Sequence, residues 1–191
     1  MGAAACAAMT AERMRISAFN VSQSEDVINL FTSVFADAEG QDEGASIGRL
    51  VSDLIATTDE RDLMGFIATL EDEIFGCIFF SRILLANKQT AFILSPAAVA
   101  TQQQGNGIGQ ALIRFGIEHL KSKGVDLLFT YGDPAFYSKS GFVQISEDVV
   151  QAPLKLSQPE GWLAQSLQNS SIDPVSGPSQ CVAALNNQEY W

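Results

Sequence analysis

Apolar positions follow two different periods along this chain, and the switch between them sets the expected architecture. Val27, Phe31, Val34, Phe35 and Ala38 recur at helical spacing. Ser22 with Glu25 three residues on gives that run a capping-box start, and Gly40 ends it. Ile47, Leu50, Val51, Leu54 and Ile55 repeat the stripe, so a second helix is expected beyond the polar loop "EGQDEGAS". From Leu63 the pattern changes to short apolar runs divided by turn residues. "LMGFIATL" (Leu63–Leu70) and "IFGCIFFSRIL" (Ile74–Leu84) flank Glu71-Asp72-Glu73 and read as a hairpin. "TAFILSPAAV" (Thr90–Val99) reads as a third strand of this group, and "RMRISAF" (Arg13–Phe19) as a short first one. Pro96 has no N–H for a ladder, so the strand holding it must bulge or part from a neighbour there.

The helical period returns with Ile108, Ala111, Leu112, Phe115 and Leu120, and "SKG" closes that helix at Gly124. "VDLLFTY" (Val125–Tyr131) is a buried-type strand. Strand, helix and strand between Thr90 and Tyr131 predict a right-handed crossover within a mixed sheet. "GDPAFYSKSGF" gives a turn and a short helix, "VQIS" a strand, and "GWLAQSLQ" (Gly161–Gln168) its hairpin partner. From Asn169 the chain is rich in Ser, Asn, Pro and Gln. The division expected is therefore a flexible leader at 1–12, one domain at 13–168, and a partly ordered tail at 169–191.

Composition narrows the function classes. Hydrophobic residues make up 47% of the 191 and charged residues 17%, a globular balance. The net charge of −11, from 22 acidic and 11 basic residues, leaves no basic footprint, so no nucleic-acid partner is expected. Apolar runs such as Ile74–Phe80 are too short to span a membrane. "MGAAACAAM" lacks the basic start of a signal peptide, and Cys6 stands where a myristoylation pattern needs Ser or Thr. Cys6, Cys77 and Cys181 are odd in number and widely spaced, which fits a reducing cytoplasm and no disulfide framework or metal site. The single histidine, His119, falls within a helix pattern and is read as a helix residue. Cys77 sits in an apolar run and is read as a small core residue.

The candidate chemistry lies in "QQQGNGIGQ", ahead of the helix at Ile108. Glycines before a helix let phosphate oxygens approach the free N–H groups of its first turn. A P-loop would need a lysine after the glycines, and none follows. A dinucleotide fold would want GxGxxG directly after a strand. Here Gln110 replaces the third glycine and no second βαβ half follows, although Asp126 falls near the ribose-binding spacing. A glycine-rich turn with no ligand is the remaining alternative to coenzyme A pyrophosphate.

Gln104-Gly105-Asn106-Gly107-Ile108-Gly109 resembles the [Q/R]-x-x-G-x-[G/A] signature of the GNAT superfamily of N-acetyltransferases. Tyr137-Ser138-Lys139-Ser140-Gly141-Phe142 resembles the family's Y-x-x-x-G-F element, and "GDPAFY" before it is similar to a bacterial branch of acetyltransferases. The resemblance implies an α/β fold, a mixed and mostly antiparallel twisted sheet flanked by helices, with a splayed central strand pair. It implies acetyl-CoA as co-substrate, with the pyrophosphate held by the backbone of Gln104, Gly105, Asn106, Gly107, Ile108 and Gly109. Lys139 or Arg114 would meet a further phosphate, and a backbone N–H near Ala98 or Val99 would face the oxyanion. Tyr137 occupies the position of the general acid that protonates the departing thiolate.

An amine acceptor, small molecule or peptide, attacking directly in a ternary complex completes the implied reaction. A homodimer is compatible with the family. The base stays open among Glu71, Asp72 and Glu73 in the hairpin, Glu39, Asp42 and Glu43 in the helix–helix loop, and Ser81 or Ser95 through water. A non-catalytic acyl-CoA sensor is the alternative function.

Overall fold

The computed structural model describes residues 14–168 and 171–191, so the expected leader at 1–12, with Cys6, lies outside the described residues. One sheet organises the fold. Its strands are β1 (Arg15–Ala18), β2 (Leu63–Leu70), β3 (Glu73–Leu84), β4 (Thr90–Val99), β5 (Leu127–Tyr131), β6 (Val143–Gln144) and, beyond a short β7 (Val150–Gln151), β8 (Trp162–Ser166). The order across the sheet is β1-β2-β3-β4-β5-β8-β6. Every pair on this path is antiparallel except β4 with β5. That parallel pair is joined by helix α3 (Ile108–Ser122), the crossover expected from the return of the helical period.

Helices α1 (Ser24–Glu39) and α2 (Gln41–Thr57) bury Val27, Phe31, Leu50 and Leu54 in one core with the sheet. Helix α3 buries Leu112, Ile113 and Leu120 in a second core with Phe66, Phe80 and Leu128. Alternation along β3 feeds both, since Cys77 and Phe79 belong to the first and Ile78 and Phe80 to the second.

Three details of the sequence reading change. The capping box is not Ser22 with Glu25. Asn20 Oδ1 accepts from the Ser22 N–H (2.9 Å), and Gln23 Oε1 accepts from the Asn20 N–H (2.9 Å). The chain enters through a 3-10 turn (Val21–Gln23), and an asparagine carboxamide accepts as well as a serine hydroxyl. Glu25 falls instead in the first turn of α1, near its positive end.

The loop "EGQDEGAS" is reduced to Gly40, at φ +104°, and α2 starts at Gln41, with Asp42 and Glu43 in its first turn. Gly44 is not a loop glycine, and Gly48 further along the same helix faces Thr32 as it does. A Cβ at Gly44 would lie 2.5 Å from the Thr32 carbonyl oxygen, so these residues let the two helices touch.

The segment set apart as a tail packs onto the domain from residue 171. Strand β9 (Val175–Pro178) pairs with β7, β10 (Gln180–Cys181) pairs with β3, and Leu185 and Trp191 are buried in the α1–α2 core. Its polar composition conceals a few large apolar anchors.

Candidate active site

The strand β4 makes the site by leaving its partner. Its parallel ladder with β5 runs from Ala91–Leu127 to Leu94–Thr130 and stops. At the fork, Thr130 Oγ1 donates to the Leu94 carbonyl (3.0 Å). Beyond it β4 stays on β3, with a bulge between Ile78 and Phe80, across from Ser95 and Pro96. Proline supplies no donor, so the ladder is interrupted where the sequence placed it. The β5 end turns the other way, with Tyr131 paired to Trp162 of β8.

The split leaves backbone groups unpaired on β4. The Ala100 N–H donates to the Phe75 carbonyl (2.8 Å). Alternation along an antiparallel strand then turns the Ala98 N–H toward β3 as well, and those of Ala97 and Val99 toward the split. The Val99 carbonyl accordingly accepts from Gln104 Nε2 (3.0 Å) across that open edge.

At one end of the split lie the glycines. Gly105 (φ +79°) and Gly107 (φ +77°) are left-handed, and Gly107 is the N-cap of α3. A Cβ on either would have nothing within 4 Å, so no packing contact in the chain itself calls for glycine there. The backbone conformation does, and so does open space beside the amides of the first helical turn, which have no intrahelical acceptor. These residues fit an anion of pyrophosphate size and charge. Gly109 differs: its Cβ would sit 3.2 Å from Phe136 Cζ, a close approach between helix and aromatic turn. Asn106 folds its side chain back onto the Gln103 carbonyl (3.3 Å).

At the other end stands Tyr137, in the short helix α4 (Pro134–Tyr137), whose first turn Asp133 caps by accepting from the Ala135 N–H (2.8 Å). The ring packs edge-on to Phe136 (5.1 Å) and Phe142 (5.8 Å) and lies against Gly132, where a Cβ would come within 2.8 Å of it. Burial raises its pKa above the ordinary 10.0, partly opposed by the neighbouring Thr130 hydroxyl, so it keeps its proton at neutral pH.

Gln110 links the two ends. Its Nε2 donates to the Phe136 carbonyl (3.0 Å) and its Oε1 accepts from Ser140 Oγ (2.5 Å), fastening the first turn of α3 to the tyrosine turn. The sequence showed Gln110 only as a residue spoiling a glycine motif, and its tie depends on a partner 26 residues away.

All of this opens into one cleft of ≈ 1210 Å³. Ala98, Val99, Gln104, Gly105, Gly107, Ile108, Gly109, Tyr137 and Lys139 line it, while Asn106 sits in the glycine turn beside it. Of the candidate bases, Glu39, Glu43 and Ser95 line it too. Asp42 and Arg114 are exposed and outside the lining, as are Glu71, Asp72 and Glu73 in the β2–β3 turn. Ser81 is buried within the sheet, and burial pushes the Cys77 thiol far up, away from any nucleophilic role. Asp126, near ribose-binding spacing in the sequence, accepts from the Thr90 N–H (2.8 Å), at the start of β5 and outside the cleft lining. His119 packs edge-on against Phe66 (5.2 Å) on α3, again outside the lining. The sequence reading missed Glu189, Tyr190 and Trp191, which line the cleft from the segment read as tail.

Residues 61–144 match the family model described as an acetyltransferase (GNAT) domain. The chain is 28% identical over 180 residues to the uncharacterized N-acetyltransferase YjhQ of Escherichia coli K12, covering 91% of this chain and 95% of that one. Among solved structures it superposes on the Escherichia coli GNAT N-acetyltransferase YhbS in complex with CoA, with TM-score 0.78, 21% identity, and 92% and 93% of the two chains covered. A Brucella melitensis GNAT acetyltransferase in complex with acetyl-CoA superposes with TM-score 0.70 at 22% identity, covering 91% and 98%. A forked β4–β5 pair, a glycine turn at the head of the crossover helix and these matches lead to one conclusion: residues 61–144 are an acetyltransferase (GNAT) domain, and the chain is similar along its length to GNAT N-acetyltransferases, which are acetyl-CoA-dependent acyltransferases.

Proposed function

We propose that the protein moves an acetyl group from acetyl-CoA to a primary amine by direct attack, both substrates being held in the cleft at once. The observation that carries this reading is the continuity of the cleft. The glycine turn, the open β4 edge, Tyr137 and a carboxylate-bearing far end share one cavity. Direct transfer is supported by the one buried thiol among the described residues, Cys77, which is held protonated within the sheet, and by the lack of a histidine beside the cleft among those residues.

Acetyl-CoA supplies a thioester carbonyl to the amine and leaves as a thiol. The chain's own groups do the rest. Amides of Gly105 through Gly109 hold the pyrophosphate, with Lys139 as the adjacent cation. The exposed backbone of Ala97 and Val99 takes the pantetheine arm as an added strand. The Val99 N–H, on the open edge, donates to the carbonyl oxygen as negative charge develops, whereas the Ala98 N–H faces β3 and leaves Ala98 as wall. Tyr137 holds at its hydroxyl the proton that goes to the departing sulfur. The amine arrives protonated at neutral pH and must lose that proton. Glu43, whose pKa is raised by burial and then by Glu39 and Glu189, is the proposed acceptor of it, directly or through water.

Calorimetric titration with acetyl-CoA, with NADH as control, tests the reading. Micromolar acetyl-CoA binding that Gly107→Val abolishes, followed by amine-dependent thiol release, supports it. Absence of acetyl-CoA binding, or NADH binding in its place, refutes it.

A further inference from the structure

The acceptor end of the cleft is lined by more than the transfer chemistry requires. Tyr131, at the end of β5, stacks on Trp191 (6.0 Å, 19°), Trp191 leans on Trp162 (6.1 Å, 59°), and Trp162 stacks on Phe129 (5.1 Å, 6°). The polar atoms of these rings are already engaged. Trp191 Nε1 donates to the Leu185 carbonyl (2.8 Å) and Trp162 Nε1 to the Val150 carbonyl (2.9 Å). The Tyr131 hydroxyl accepts from the Gln158 N–H (2.7 Å) and pairs with Ser157 Oγ (2.9 Å). What the half-exposed Tyr131 ring, and the edge of Trp191 behind it, offer a ligand is therefore apolar aromatic surface.

Five acidic residues line the same cleft: Asp133, which caps α4, Glu160, and Glu39, Glu43 and Glu189, the last three close enough to repel one another at Glu43. One guanidinium approaches them, Arg49, at 4.0 Å from Glu189. Glu189 is fixed in place: its Oε1 accepts from Ser46 Oγ (2.6 Å) and its Oε2 from Asn187 Nδ2 (3.3 Å). The upward shift at Glu43 comes first from burial and then from the like charges of Glu39 and Glu189, a crowding that a bound cation relieves. Carboxylates alone would be a solvated rim. Here they border an aromatic wall that continues to the catalytic tyrosine, since Tyr131 adjoins Gly132 and the Tyr137 ring packs on Gly132.

We infer that Glu189, Tyr190 and Trp191, together with Tyr131 and Glu43, form the acceptor subsite, and that it selects a primary amine carried on a flat apolar body without a carboxylate. This rests on the amine-acetylation reading above and adds the acceptor class to it. The ammonium meets the carboxylates, and the body covers the half-exposed Tyr131 ring and the edge of the otherwise buried Trp191. An acceptor with its own carboxylate is repelled, and a polyamine satisfies the charges while leaving the Tyr131 ring uncovered.

Thiol release by the full chain at saturating acetyl-CoA, with phenethylamine, phenylalanine and spermidine as acceptors, tests this. The first two share a body and differ by a carboxylate, and the third has charge without a ring. Phenethylamine should show the highest kcat/KM, at least about tenfold above each of the others. Glu189→Gln, at a side chain 47% exposed and so tolerated by the fold, should raise the phenethylamine KM about tenfold. The acetyl-CoA KM should stay where it was. Glu43→Gln provides the second variant, with the same expected rise in acceptor KM and, because Glu43 is also the proposed base, a fall in kcat that Glu189→Gln does not share. Spermidine or phenylalanine used as well as phenethylamine, or an acceptor KM unmoved in both variants, overturns the inference while leaving the acetyltransferase reading standing. Acetyl-CoA binding with no thiol release for any amine removes both.

Discussion

If the glycines at the head of α3 serve a ligand, replacing one should separate binding from stability. Gly107 and Gly124 form a matched pair for this purpose. They flank the same helix, at φ +77° and φ +74°, and a Cβ on either would have nothing within 4 Å. An alanine at either position therefore meets no clash, and only the left-handed backbone opposes it, at about 1–2 kcal/mol. For a chain of this size each kcal/mol moves Tm by about 2–4 °C, so both variants should melt a few degrees low and by similar amounts.

Binding should not move in parallel. Gly107 lines the cleft and Gly124 does not. The methyl group of Gly107→Ala would stand in the space assigned to pyrophosphate oxygens and would disturb at least one charge-assisted N–H contact, worth about 1.5–3 kcal/mol. That corresponds to about a 10- to 100-fold loss of acetyl-CoA affinity by calorimetry. Gly124→Ala should bind as the unmodified chain does. Equal affinities in the two variants would refute the assignment of phosphate to this turn, and would leave Gly107 as a purely conformational glycine.

Tyr137→Phe should keep acetyl-CoA affinity by calorimetry and lower kcat for thiol release by about 100-fold or more, because the proposed proton donor is lost and the ring packing is not. Since burial raises the Tyr137 pKa, any alkaline fall in kcat owed to this hydroxyl should lie above its ordinary 10.0, which a pH–rate profile reads. Glu43 titrates with a raised pKa when folded, so its contribution to stability is present below the ordinary 4.5 and is lost as pH rises through the folded value. Glu43→Gln should accordingly melt higher than the unmodified chain at neutral pH and level with it below 4.5, as thermal melts at the two pH values will show. Gly116→Ala drives a methyl group into the Phe80 ring in the α3 core, an overpacking that costs about 1–3 kcal/mol, measured as a fall in Tm with the acetyl-CoA Kd unchanged.

Much of this was legible in the chain because it is local. Periodicity placed α1, α3 and strands β2 to β5 within a few residues, since each buries a face of its own against a common sheet. Pro96 announced the fork because a missing N–H acts wherever the strand is put. The start of α1 was misplaced because Asn20 and Ser22 are both competent caps and only the entry turn decides between them. The loop before α2 was misread because Gly44 looks like a breaker until Thr32 and Ala36 of α1 are seen to need its space.

The acceptor end was illegible for a different reason. Glu189 earns its position from Ser46, 143 residues earlier, and Trp191 from Tyr131 and Trp162, on strands that meet only in the folded sheet. No local pattern encodes such contacts, and a segment rich in Ser, Asn and Gln reads as tail. The two halves of the cleft thus differ in kind. The half proposed for the coenzyme is built from backbone at a fork and a helix start, which many side chains would leave intact. The acceptor half is built from side chains that distant segments bring together, so substitutions at Glu43, Glu189 or Trp191 should change which amine is used while the acetyl donor stays the same.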